Sequence, residues 1–326
     1  MYICNVKKLL IGVVVGITAS TYAYAADRYP SQPIKIVVPV PAGGTSDFFA
    51  RRIAHRLQQQ LDVSVVVENR AGAGGSIGSA AVARAEPDGY TLLLASGGTH
   101  SINPNVYRKL PYDAIKDFTP IIRLAIVPNM LVVPKDLPVN SAAELLNYIK
   151  SQPNPASFGS SGVGTSIQLT GELFKQVTQT DMTHVPYKGS APAMTDLIGG
   201  RLTLMFDNMP SALPQVQGGK IKALAVTSAK RSPAAPEIPT MEEEGFKGFE
   251  VTTWFGILAP AGTPENIVGM LNKNIAKILQ DPTIQEQFIK AGAEVAGNNP
   301  KAFKIYMEEQ LDKWRKIAEA AHVTID

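Results

Sequence analysis

The chain has 326 residues, with 31 Lys and Arg against 28 Asp and Glu, 45% hydrophobic residues and one cysteine. A net charge near +3 lacks the basic excess of a nucleic-acid binder, and a single cysteine at position 4 cannot form an internal disulfide. About 300 residues beyond the N-terminus suffice for two domains with cores of their own.

The N-terminus reads as an export signal. Lys7 and Lys8 precede a short apolar run, Leu9 to Ile17, and Ala23-Tyr24-Ala25 offers a small-x-small cleavage site. The run is shorter than the roughly 20 residues of a spanning helix, so a membrane anchor is the weaker alternative. Cleavage over 1–25 would remove both lysines and Cys4, leaving 31 − 2 = 29 basic residues against 28 acidic ones. A disulfide-free exported protein is expected.

Strands and helices then alternate. Ile34 to Pro39 is a β-branched run ended by proline, and Asp47 to Leu61 carries Phe49, Ile53, Leu57 and Leu61 at helical spacing. Val63 to Glu68 and Tyr90 to Ala95 read as buried strands, with a short helix over Ser79 to Ala85. The pattern restarts near Ile126: strand Met130 to Val133, helix Ser141 to Lys150, strand Ser157-Phe158, helix Ser166 to Val177. Thr183 to Val185 is extended, Ala191 to Ile198 helical, and Leu202 to Phe206 and Leu224 to Thr227 are strands. Pro264 to Leu279 and Lys301 to Ala321 are amphipathic helices. This rhythm predicts an α/β fold with doubly wound sheets in two lobes. Residues 26–125 and 228–326 are expected to form lobe 1, and 126–227 lobe 2.

Three Gly/Ser-rich loops run straight into helices: Pro41 to Asp47, Gly159 to Ser166 and Tyr187 to Pro192. Glycine lets backbone approach a ligand, and the first N–H groups of a helix attract anions. Together they suggest a cleft closing on a small carboxylate. For any single loop, tight strand–helix connection explains the glycines equally well.

Other chemistries are weaker. Gly74-Gly75-Ser76-Ile77-Gly78 matches the G-x-S-x-G elbow of serine hydrolases, but Asn69 to Ala73 separate it from the preceding strand. Gly72, Gly74 and Gly78 miss the dinucleotide spacing by one residue. His55, His100, His184 and His322 show no metal-ligand spacing. No catalytic residue, metal or cofactor is therefore expected.

At these segments the chain resembles the Bug family, the periplasmic solute receptors of tripartite tricarboxylate transporters. The similar stretches are Pro41-Ala42-Gly43-Gly44 with Asp47 and Ala50-Arg51, Val67 to Arg70 before Gly72 to Gly75, and Pro87 to Leu92. Ile102-Asn103-Pro104, Leu110 to Asp113, His184 to Gly189, Phe206-Asp207 and Ala259 to Pro264 continue the signature in the family's order. The resemblance implies a type II periplasmic-binding-protein fold, a Venus flytrap that holds one ligand carboxylate deep in its cleft. It implies first-lobe contacts from Ala42, Gly43, Gly44 and the Ser96-Gly97-Gly98 loop, and second-lobe contacts from Ser160, Ser161, Thr165, Tyr187 and Asp207. Ser46 would add a hydroxyl. Asp47 is expected to cap its helix rather than touch the anion. Phe48 stands where aliphatic residues are common and is expected to line the cleft; Gln168 replaces an expected histidine.

The implied function is capture of a di-, tri- or aromatic carboxylate by a monomeric receptor and its delivery to a membrane permease with a small and a large subunit. An exported hydrolase using Ser76 and a sensory binding partner of a signalling receptor are the alternatives.

Overall fold

The structure, a computed structural model, describes residues 29–320 and Thr324. The expected export signal over 1–25, Cys4 and His322 lie outside the described residues.

The chain begins with β1 (Ile34–Val38), α1 (Thr45–Leu61) and β2 (Val65–Asn69), then a 3-10 turn over Ala73–Gly75, α2 (Ser76–Ala83) and β3 (Thr91–Ser96). A π-helical turn (Gly98–Ile102) and α3 (Asn103–Val106) lead to β4 (Phe118–Pro134). Next come α4 (Ala142–Ser151), β5 (Ala156–Ser160), α5 (Ser166–Thr178), β6 (Met182–Pro186), α6 (Ser190–Ile198), β7 (Leu204–Asn208), α7 (Met209–Gln217) and β8 (Ile221–Val226). The chain continues through β9 (Thr252–Pro260), α8 (Glu265–Leu279), α9 (Pro282–Lys290), β10 (Glu294–Val295) and α10 (Pro300–Ala320). Among these residues no helix is long and apolar enough to cross a membrane.

The fold is the expected two-lobed α/β architecture, with one addition. Strand order runs β2-β1-β3-β9-β4-β7-β5-β6, with β8 and β10 also on β4. The β2/β1/β3 and β6/β5/β7 groups pair parallel, as βα units require. All partners of β4 are antiparallel.

One long strand, β4, contributes to both halves of the sheet. β4 pairs β9 along Phe118 to Pro128, then turns to β7 and β8 from Asn129 or Met130 to Pro134. The Met130 to Val133 run is thus the end of a 17-residue strand. Its buried half-polar centre is held by Thr227, whose Oγ1 accepts from the Asn129 N–H at 2.8 Å, while the Val251 N–H donates to the Thr227 carbonyl. The chain therefore crosses between lobes at 128–129 and again at 251–252.

The segment before the second crossing packs on residues of the 126–227 segment. Phe246 packs on Phe174 (centroids 5.4 Å apart) and Phe249 stacks on Phe206 (5.9 Å). Met241 and Val251 belong to the same buried cluster, as do Trp314 and Ala318 of α10. Residues 241–251 pack against residues of the 126–227 segment, because burying these large apolar side chains outweighs their proximity in sequence to β9, whereas α10 packs on the π-helical turn, α3 and β4.

Candidate functional site

Both lobes place helix starts at their interface. In lobe 1, Gly43 sits at φ +88°, a conformation open to glycine, whereas Gly44, the residue preceding α1, has φ −94°. The Asp47 carboxylate accepts from the Gly43 N–H at 3.1 Å, from Arg51 Nε at 2.8 Å and from Asn69 Nδ2 at 3.0 Å. Burial alone would push Asp47 up, but these hydrogen bonds together hold it below the usual carboxylate range. Asp47 thus braces the loop from inside rather than capping the helix, since no side-chain hydrogen bond caps the start of α1. The N–H groups of Thr45 and Ser46 have no intrahelical acceptor and start the helix at the cleft wall.

Lobe 2 builds its wall from two stitched loops. The Tyr187 N–H donates to the Ser160 carbonyl and the Gly189 N–H to that of Ser161. Thr165 caps α5 by accepting from the Gln168 N–H, and its hydroxyl donates to the Gly162 carbonyl at 2.7 Å. Gln168 Oε1 accepts from the Gly164 N–H at 2.8 Å, so this side chain shapes the loop. Ser160 Oγ lies 2.6 Å from His184 Nε2, and the imidazole stacks on Phe158. Burial pushes His184 down to about 4, keeping it neutral at physiological pH.

Where the lobes meet there is a deep cavity of about 60 Å³ open to water-sized spheres. Thr45 and Ser46 of α1, Ser166 and Ile167 of α5, Ser190 of α6 and Asn208 at the start of α7 all line it. Gly98 and Thr99, at the start of the π turn, add a fifth helical N-terminus. The Oγ1 atoms of Thr45 and Thr253 are buried without a hydrogen-bond partner, and both residues line this cavity. Unpaired buried hydroxyls and converging helix N-termini are donors awaiting an acceptor. No Lys or Arg lines the deep cavity, so the arrangement suits an anion held by dipoles and neutral donors.

Two further cavities adjoin it. A vestibule of about 680 Å³ shares Val40, Pro41, Gly74, Ser161, Thr165 and Gly189 with the deep cavity. A side cavity of about 300 Å³ is lined by Gly43, Ser190, Asp207 and Lys220, among others. Asp207 accepts from Ser190 Oγ (2.8 Å), Ser211 Oγ (2.6 Å) and the Asn208 N–H (2.9 Å). Burial nevertheless pushes its carboxyl up to about 6. Asp207 thereby ties the starts of α6 and α7 together.

The structure brings Gly44, Ser46, Gly98, Ser161 and Thr165 to the deep cavity, Tyr187 to the vestibule, and Gly43 and Asp207 to the side cavity. Ala42, Gly97 and Ser160 line none of the three. Ala42 is exposed, Ser160 is buried against His184, and Gly97 backs onto Thr253, where an added Cβ would lie 2.7 Å from Oγ1. Phe48 lines none either, contrary to expectation. Its ring packs on Phe49 and Phe288 with the Arg52 guanidinium 3.6 Å above its centroid, because its turn of α1 faces α9.

Sequence reading missed Thr45, Thr99, Ser166, Ser190, Asn208, Thr253 and Phe255. Ser166 and Ser190 sit beside glycine-rich loops already singled out, so their spacing carried the signal. Thr253 had none, since strand β9 was not recognised. Ser76 opens α2 and is buried, while His184 pairs with Ser160.

Comparison with known proteins places this geometry. The model of the tripartite tricarboxylate transporter family receptor matches residues 49–323. BugT of Bordetella pertussis is 36% identical over 316 residues, covering 96% of this chain and 97% of that protein. An R. palustris protein solved with adipate superimposes with a TM-score of 0.89 at 41% identity, covering 91% of this chain and 99% of its own. MatC from Rhodopseudomonas palustris, solved with bound malate, gives 0.85 at 32% identity, covering 89% and 99%. Proteins of this kind are solute receptors and not enzymes. The chain belongs to the tripartite tricarboxylate transporter receptor family, as a Bug-type periplasmic solute-binding protein.

Proposed function

We propose that this receptor binds a small carboxylate in the interlobe cleft and delivers it to a membrane permease with a small and a large subunit. The convergence of five helical N-termini and two unpaired threonine hydroxyls on one cavity carries the reading. Charge-assisted hydrogen bonds contribute ~1.5–3 kcal/mol each, so three or four reach the ~8 kcal/mol of micromolar binding without an arginine. Adipate and malate in the two R. palustris structures support a dicarboxylate.

The proposed ligand contacts are Gly44, Thr45, Ser46, Gly98, Ser161, Thr165, Ser190 and Thr253, with Tyr187 further out. Lobe 1 comprises 29–128 and 252–320; lobe 2 comprises 129–251. The protein works as a monomer after cleavage of its export signal, and closure about the two crossings creates the surface the permease reads.

A thermal-shift panel of mono-, di- and tricarboxylates tests the reading. A ligand of the native state at 100 times its Kd adds about 2.7 kcal/mol of stability. No shift with any acid would overturn it.

A further inference from the structure

We propose that the vestibule selects carboxylates whose remainder is an unhydroxylated hydrocarbon, chain or ring, over short hydroxylated acids. This rests on the deep cavity holding the first carboxylate. That cavity has room for a few water-sized groups only, so the rest of any larger ligand extends into the vestibule, the wider of the two joined spaces.

The vestibule walls are mostly apolar, and several of their donors are committed elsewhere. Ala71, Ala73, Val163 and Pro186 contribute hydrocarbon to this half-open space, and Tyr107 and Tyr187 add their rings. The Tyr187 hydroxyl donates to Asp196 at 2.7 Å, and that of Thr165 to the Gly162 carbonyl. The N–H groups of Gly75, Gly162 and Gly189 donate to the Gly72 carbonyl, Ser160 Oγ and the Ser161 carbonyl. A ligand hydroxyl entering this space exchanges water for aliphatic wall and pays for its desolvation, whereas methylenes or a ring gain from burial. Lys188 is the one basic residue lining the vestibule, and it favours a second carboxylate at the far end of the spacer.

Calorimetry of the exported, signal-free protein with adipate, phenylacetate, malate and citrate is the test. The expected result is adipate or phenylacetate binding at least ~tenfold more tightly than malate, the scale of discrimination that a methylene or two provides in an apolar pocket. Val163→Asn, a half-buried loop position, should lower the adipate-to-malate affinity ratio at least ~fivefold with the melting temperature unchanged. Malate or citrate binding as tightly as adipate, or a ratio unmoved in the folded V163N variant, overturns this inference and leaves the carboxylate receptor standing. Failure of all four acids to bind overturns the receptor reading itself.

Discussion

Asp47 accepts a hydrogen bond from the N–H of Gly43, four residues before it, at 3.1 Å. One of the two glycines expected to face the anion has therefore turned its donor inward. The same bond holds the loop so that the neighbouring glycine and the first turn of α1 border the deep cavity. In the proposed carboxylate site, the donors offered by this helix start are those of Gly44, Thr45 and Ser46.

Gly44→Val should consequently abolish ligand binding without unfolding the protein. Gly44 has φ −94°, and an added Cβ meets nothing within 4 Å, so the backbone tolerates a side chain. Losing one or two charge-assisted bonds at ~1.5–3 kcal/mol each gives an affinity loss of roughly 100-fold or more. Calorimetry on the variant, with Gly44→Ala as a milder companion, decides the matter; native affinity in Gly44→Val would refute it.

Thr253→Val separates a ligand-directed hydroxyl from a structural one. Its Oγ1 is buried with no protein partner, so the swap removes an unsatisfied group and should leave the melting temperature unchanged or raise it. Ligand affinity should fall roughly 10- to 100-fold. Lower stability with unchanged affinity would show that the hydroxyl serves the fold.

Asp207 gives a signed pH dependence. Its carboxyl ionises near 3.8 when unfolded and near 6 when folded, so the native state binds the extra proton between those values. Stability contributed by this group falls as pH rises from about 4 to about 6 and is flat above. His184 acts oppositely: with its folded value near 4 against 6.5, its contribution is lost as pH falls through that window. Asp207→Asn should therefore unmask a net rise in stability from pH 4 to 6.5, measured by urea melts. A variant whose pH profile overlays the native one would rule this assignment out.

Phe48→Ala should destabilise the fold by about 1–3 kcal/mol, since the ring packs on Phe288 and carries the Arg52 guanidinium. Affinity should not change for aromatic or aliphatic acids. An aromatic-selective loss in a binding assay would return this ring to the cleft.

The sequence by itself determined the alternation of strands and helices and the three glycine-rich helix starts. Each of these is encoded within one short segment: β-branched runs, helical spacing of apolar residues, and glycine or serine immediately before a helix. The serine cap of α4 is of the same kind, with Ser141 Oγ accepting from the Glu144 N–H as its position implies. Tertiary structure decided which loop residues face the cavity. Gly43 and Ser160 look as suited to an anion as Gly44 and Ser161, but Asp47 and His184 occupy them. It also decided that β4 pairs with both β9 and β7, that Phe246 and Phe249 pack on Phe174 and Phe206, and that Thr253 and Thr45 line one cavity. These depend on partners far apart in sequence, 43 residues for Phe206 and Phe249 and 142 for Phe118 and Pro260, and no local pattern of polarity or glycine records which buried surface a segment will find.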